Sequence, residues 1–241
     1  MGRPERNPVE ELKTKLLIYY LCEGLCIEKS GAALSHYFEG TRRASSKWKR
    51  FLEGKRTPSV GTIQLLLNKL KNQQDTKEFG STFAQLWNSP LWVALRAGQQ
   101  SNEYWIQFYK SMPVRFQKHV FDSGSSFSDP FKRRYPRQSE IIAVEKHSDL
   151  DGFAFLIALA RDSRINNLGL YNRALDLSLY RLFYAFSHHQ PFKHYCIQLW
   201  HYFKKHVVMN DRTVFSKLGI MRWQETDYEV VENTERDAYY L

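Results

Sequence analysis

Arg42-Arg43-Ala44-Ser45-Ser46-Lys47-Trp48-Lys49-Arg50-Phe51-Leu52-Glu53-Gly54-Lys55-Arg56-Thr57-Pro58-Ser59 separates two chemistries at helical spacing. Ala44, Trp48, Phe51 and Leu52 share one face, and Arg42, Arg43, Ser46, Lys47, Lys49 and Arg50 fall largely on the other. The pattern predicts an amphipathic helix over residues 42–53. Gly54 supplies a left-handed stop, Lys55-Arg56-Thr57-Pro58 a turn, and Ser59 an N-cap for a further helix through Leu70. That helix carries the stripe Ile63, Leu66, Leu67 and Leu70. Between residues 41 and 60 seven cations meet one carboxylate, Glu53, so much of the net charge of +10 is concentrated here.

Upstream the helical period continues. Pro8-Val9-Glu10-Glu11 has the proline and acids of a first helical turn, followed by Leu12, Leu16, Tyr19 and Tyr20 on one stripe. Cys22 and Cys26, four apart, are expected as buried thiols on one helix face. With Cys196 they make an odd count without disulfide spacing, which fits a reducing compartment. A short helix is expected over residues 31–38, closed by Glu39-Gly40-Thr41.

Downstream, residues 71–80 are polar and read as a short linker or helix break. Helices rich in aromatics are expected over residues 81–98 and 102–121, interrupted at Pro90 and Pro113. Residues 121–138 read as a loop or exposed arm. Ser148-Asp149-Leu150-Asp151 is a helix start before the apolar run 152–160, and residues 170–186 and 192–208 are amphipathic. Residues 214–231 are ambiguous, and a small β-hairpin fits Met221-Arg222-Trp223 and residues 228–231. The end of the chain is acidic, with Glu225, Asp227, Glu229, Glu232, Glu235 and Asp237 against Arg236. Such a segment is solvated or shields a basic surface in the same molecule or a dimer mate.

The expected fold is therefore mainly α. Residues 1–75 form a helix-turn-helix-like bundle, and residues 80–241 a larger helical region for dimerisation, effector binding or partner docking. No run reaches the roughly 18–20 apolar residues needed to span a bilayer, and the start of the chain lacks a signal-peptide pattern, so a cytoplasmic protein with no membrane association is expected.

A pI near 9.4 points to an anionic partner, and DNA affinity arises mainly from cations that displace phosphate counterions. A helix of this width fits the major groove. From Ser46 to Ser59, followed by a leucine-rich helix, the chain resembles the second half of a Cro/repressor-type (Xre-like) helix-turn-helix. The resemblance covers residues 31–71, with Phe51 at the aromatic position, Gly54 at the stop and Pro58-Ser59 leading into the packing helix. It implies that Ser45, Ser46, Lys47 and Arg43 face base edges. Lys49, Arg50, Lys55 and Arg56, with Arg42 beside them, would hold phosphates. Lys132, Arg133, Arg134 and Arg137, flanked by Phe131 and Tyr135, form a second basic arm that could reach a minor groove or backbone. Double-stranded DNA is the expected partner. A homodimer and a protein partner for the C-terminal region are compatible with it.

No phosphate-binding Gly-rich loop, zinc-protease motif or nucleophile elbow is present in the sequence. Neither an enzyme nor a cofactor is expected. His188, His189, His194, His201 and His206 are crowded but lack the acids and i, i+4 pairing of a metal site. Two other readings stand beside the DNA-binding one. Arg181 and His188 resemble the Arg-x4–6-His motif of HEPN-type ribonucleases, which implies a proton-moving His and a charge-stabilising Arg on RNA. The aromatics between Trp87 and Tyr109 would suit an interaction module of a nucleoprotein assembly.

Overall fold

The computed structural model describes residues 6–41, 45–72, 74–122, 133–162 and 169–207. Arg42, Arg43, Ala44, Lys132, the acidic segment and the expected hairpin at residues 221–231 lie outside these. The described residues form twelve α-helices and no strand, only an isolated antiparallel bridge between Phe121 and Arg133. The fold is mainly helical.

The order begins with α1 (Pro8–Gly24), α2 (Gly31–Glu39), α3 (Ser46–Leu52), α4 (Val60–Lys71), α5 (Lys77–Asn88) and the single turn α6 (Leu91–Ala94). It continues with α7 (Asn102–Ser111), α8 (Val114–Gln117), α9 (Gln138–Lys146), α10 (Leu150–Arg161), α11 (Gly169–Ser187) and α12 (Cys196–His206). α1 starts where the sequence places it. The Asn7 side chain accepts from the Val9 amide, Pro8 takes the first turn, and Glu10 and Glu11 sit at the positive end of the helix dipole. Its buried set, Val9, Leu12, Leu16, Leu17, Ile18, Leu21 and Cys22, spreads beyond one stripe because α3, α5 and α6 all pack on it.

The helix ends two residues earlier than the cysteine spacing suggests. Ile27 N–H donates to the Cys22 carbonyl and Cys26 N–H to that of Glu23, with Cys26 at φ +52°, the left-handed position that closes a helix. Cys26 is therefore exposed and off the helix face, whereas Cys22 is buried and its thiol is pushed up to about 11 by burial. The expectation of two buried thiols on one face is corrected at Cys26.

Residues 71–80 hold a 3₁₀ turn, Gln74–Thr76, and the first residues of α5, which packs on both α4 and α1. α10 lies at the centre of the second half. Phe153 to Ala160 are all buried, against α6, α9 and α11, which explains an apolar run without polar alternation. Asp149 caps it by accepting from Gly152 N–H at 2.7 Å. No described helix is long and apolar enough to cross a membrane. Trp87, Trp92, Trp105, Phe108 and Tyr109 are likewise interior, so the aromatics read as a docking surface belong to the core, with Tyr104 half-buried.

The two halves of the chain touch directly. The Asn7 amide exchanges hydrogen bonds with the backbone of Ala97, both at 3.2 Å, and Tyr19 meets Tyr195 edge-on at 5.4 Å. The buried core continues from Val9 to Val207.

Around the Phe121–Arg133 bridge two arginines of the expected second arm, Arg133 and Arg134, are engaged by carboxylates of the same chain. Arg133 pairs with the buried Asp162, donates to Asn102 at 3.2 Å and lies over the Tyr109 ring. Arg134 pairs with Glu140, and Arg137 is exposed. Arg134, then the Arg137 amide and His119, hold the Glu140 carboxyl down to about 2. A depressed folded pKa gives stability that is present above the ordinary value of 4.5 and is lost as pH falls through about 2. Thermal melting of Glu140→Gln is accordingly expected to vary less between pH 4.5 and 2 than that of the parent protein. Equal slopes in that window would remove Glu140 from the acid response.

Candidate nucleic-acid interface

The basic face is assembled on α2 and α3. Ser30 caps α2 by accepting from Ala33 N–H, and Gly40 closes it at φ +68°. α3 begins at Ser46, not Arg42, and ends at Leu52. The reason lies in two serines. Ser45 is extended and its hydroxyl accepts from Lys47 N–H, while Ser45 N–H donates to the buried Ser35 hydroxyl of α2 at 3.0 Å. The side chain thus replaces a helical hydrogen bond and marks the start of the helix. The expected helix over residues 42–53 is shortened accordingly.

Trp48 and Phe51 hold α3 down. Trp48 is wholly buried, stacks on Phe38 of α2 at 5.3 Å and meets Phe51 edge-on at 5.6 Å. α2 approaches so closely that a Cβ on Gly31 would lie 3.1 Å from the Lys49 backbone nitrogen. The turn after α3 is fixed from the start of the chain. The Arg6 guanidinium donates to the Gly54 carbonyl, to Thr57 Oγ1 at 2.6 Å and to the Glu10 carbonyl at 3.0 Å.

Gly54 is at φ +68°, and a Cβ there would sit 2.7 Å from Glu11 Cγ and 2.8 Å from Lys15 Cε. Left-handed backbone alone costs an L-residue about 1–2 kcal/mol. Glu11 Cγ and Lys15 Cγ sit close to the α1 backbone and cannot simply swing away, so overpacking adds to the backbone cost and Gly54→Ala is expected to lose about 2–4 kcal/mol in chemical denaturation. A loss below about 0.3 kcal/mol would show that the turn is not held as described.

The face left outside is strongly cationic. Ser46, Lys49, Arg50, Lys55 and Arg56 are exposed. Glu53 takes Lys55 at 2.9 Å and Lys49 at 4.0 Å, and these cations hold its carboxyl below the ordinary range. The ammonium stems of Lys49 and Lys55 are still 75% and 70% exposed. Arg50 and Arg56 form no ion pair among the described residues, and Arg56 N–H donates to the Arg50 carbonyl at 3.2 Å, which ties the two positions together. Two residues read as base contacts are occupied otherwise. Lys47 is half-buried, paired with Glu39 at 2.8 Å and lying over Trp48, and Ser45 is the helix cap. The structure therefore brings Ser46, Lys49, Arg50, Lys55 and Arg56 together on one exposed face, with Ser45 engaged as the helix cap and Lys47 beside them in a surface pair with Glu39.

Sequence reading missed Arg6 and Ser35, whose partners lie 48 and 10 residues away. A groove of about 490 Å³ between the start of α1 and the α5–α6 corner was also not foreseen. Its Trp87 and Trp92 are almost fully covered, and Glu10, Lys13, Arg96, Tyr104 and the exposed Val93 are among its remaining lining. Elsewhere, Arg181 pairs with Glu145 at 3.2 Å, and His188 Nδ1 lies 2.8 Å from the Tyr184 carbonyl. Among the described residues no group of three His, Cys, Asp or Glu is placed to hold a metal. No protein-family model, no curated protein and no solved structure matches the chain.

Proposed function

We propose that this chain is a duplex-DNA-binding protein of the regulatory kind, with α3 and the turn after it as the contact face. The observation that carries the reading is the exposed set Ser46, Lys49, Arg50, Lys55 and Arg56 on a segment locked from behind by Trp48, Phe51 and Arg6. A cationic face on a rigid support places charge along a phosphate backbone without first having to be ordered. Ser46, at the start of α3, is the short polar side chain best placed to approach a base edge, and the four cations hold phosphates. Lys47, held by Glu39 at the edge of this face, is the least free of its cations.

The test is a gel shift with the full chain on a random-sequence duplex of about 30 base pairs at 0.1 M salt, alongside a single strand and an RNA hairpin of equal length. Duplex retained preferentially supports the reading. Absence of duplex binding at that salt sinks it.

A further inference from the structure

The acidic end of the chain has a counterpart on the surface. Glu225, Asp227, Glu229, Glu232, Glu235 and Asp237 are accompanied by a single cation, Arg236. Glu225, Asp227 and Glu229 alternate, and in an extended segment alternate residues share a face at intervals of about 6.6 Å. That pattern is a short row of anions, the chemistry the α3 face is built to take. Arg50 and Arg56 have no ion pair among the described residues, and the one carboxylate beside them, Glu53, is already shared by two lysines.

Position favours the same match. The last described helix, α12, is tied to the α6 end of the molecule by the Tyr202 hydroxyl, which donates to the Leu95 carbonyl at 2.6 Å. Ala97, two residues on, bonds Asn7, and its neighbour Arg6 grips Gly54 and Thr57 on either side of Lys55 and Arg56. One run of contacts thus joins α12 to the basic turn. The seventeen residues 208–224 that separate α12 from the first acid can span up to roughly 60 Å. A chain of this length has a radius of gyration of roughly 18 Å, so reach is not limiting.

We propose that residues 225–237 dock on the Lys49, Arg50, Lys55 and Arg56 face of their own chain and compete there with DNA, a regulation that rests on the function proposed above. Being tethered, the segment acts at an effective concentration in the millimolar range, enough for a weak electrostatic contact to matter at low salt and to fade as salt rises.

Two measurements on the full chain test this. A carbodiimide, which condenses a carboxylate with an amine, is expected to join Lys49 or Lys55 to carboxylates of residues 225–237 within the monomer, with the yield falling as salt is raised. Links confined to other lysines, or found only between two copies, overturn the proposal. In the second, Glu225→Gln/Asp227→Asn/Glu229→Gln is compared with a control that removes as many exposed acids elsewhere, Glu28→Gln/Asp75→Asn/Glu78→Gln. The first is expected to bind the random duplex roughly tenfold more tightly at 0.05 M salt, and the control to stay within about twofold of the parent. No gain, or an equal gain in the control, overturns the proposal whatever the links. If no variant binds DNA, the proposed function fails and the links alone decide whether the segment docks.

Discussion

Arg50→Ala/Arg56→Ala is expected to lower affinity for a random duplex roughly 60-fold at 0.1 M monovalent salt, and only about fivefold at 0.4 M. The difference comes from counterions. Each neutralised phosphate contributes about 0.9 to the slope of log K against log salt, so losing two contacts removes about 1.8 from it. Both side chains are exposed and unpaired among the described residues, so thermal stability should stay within about 0.5 kcal/mol of the parent. An equal loss at both salts would mean that the arginines do not meet phosphates. Unchanged binding would move the interface away from α3.

Trp48→Ala costs about 3–5 kcal/mol, because it empties a fully buried site and breaks the stack on Phe38 and the edge contact with Phe51. In a chain of this size that corresponds to a fall in Tm of roughly 10 °C or more. DNA binding should fall with it. α3 has seven residues, too few to persist as an isolated helix, and Trp48 is its main anchor. Trp48→Phe separates packing from chemistry. The Trp48 Nε1 hydrogen is buried without a partner among the described residues, and phenylalanine removes that polar group while keeping a ring. Its expected cost is about 1 kcal/mol, with binding retained. A Trp48→Ala protein as stable as the parent would refute the packing of α3 described above.

What the sequence disclosed depended on whether a residue's partner was local. The Pro8 first turn, the Asp149 and Ser59 caps and the Gly40 stop involve neighbours within a few positions, and each stands where it was read. The start of α3 was misplaced because Ser45 answers to Ser35, buried on another helix. Cys26 was misplaced because the four-residue spacing assumes an unbroken helix, whereas α1 ends at Gly24 and Cys26 takes the left-handed position beyond it. Arg133 looked like part of a free basic arm because Asp162, its buried partner, is 29 residues away. The aromatics from Trp87 to Tyr109 gave no sign of which side faced inward until α10 supplied the surface they cover. At the proposed interface, amphipathic spacing revealed the cations and their apolar support. It could not reveal that Lys47 bends back to Glu39 or that Arg6 secures the turn, since both are tertiary contacts.

On the function proposed, DNA meets this protein on α3 and the turn that follows. Amide and side-chain NMR shifts of the full chain, followed while a random duplex is added at 0.1 M salt, test it most directly. Saturable changes concentrated at residues 45–57 are expected, with Arg50 and Arg56 guanidinium signals among the largest. Changes centred elsewhere, for instance around Arg181 and His188, or no change at all, would contradict it.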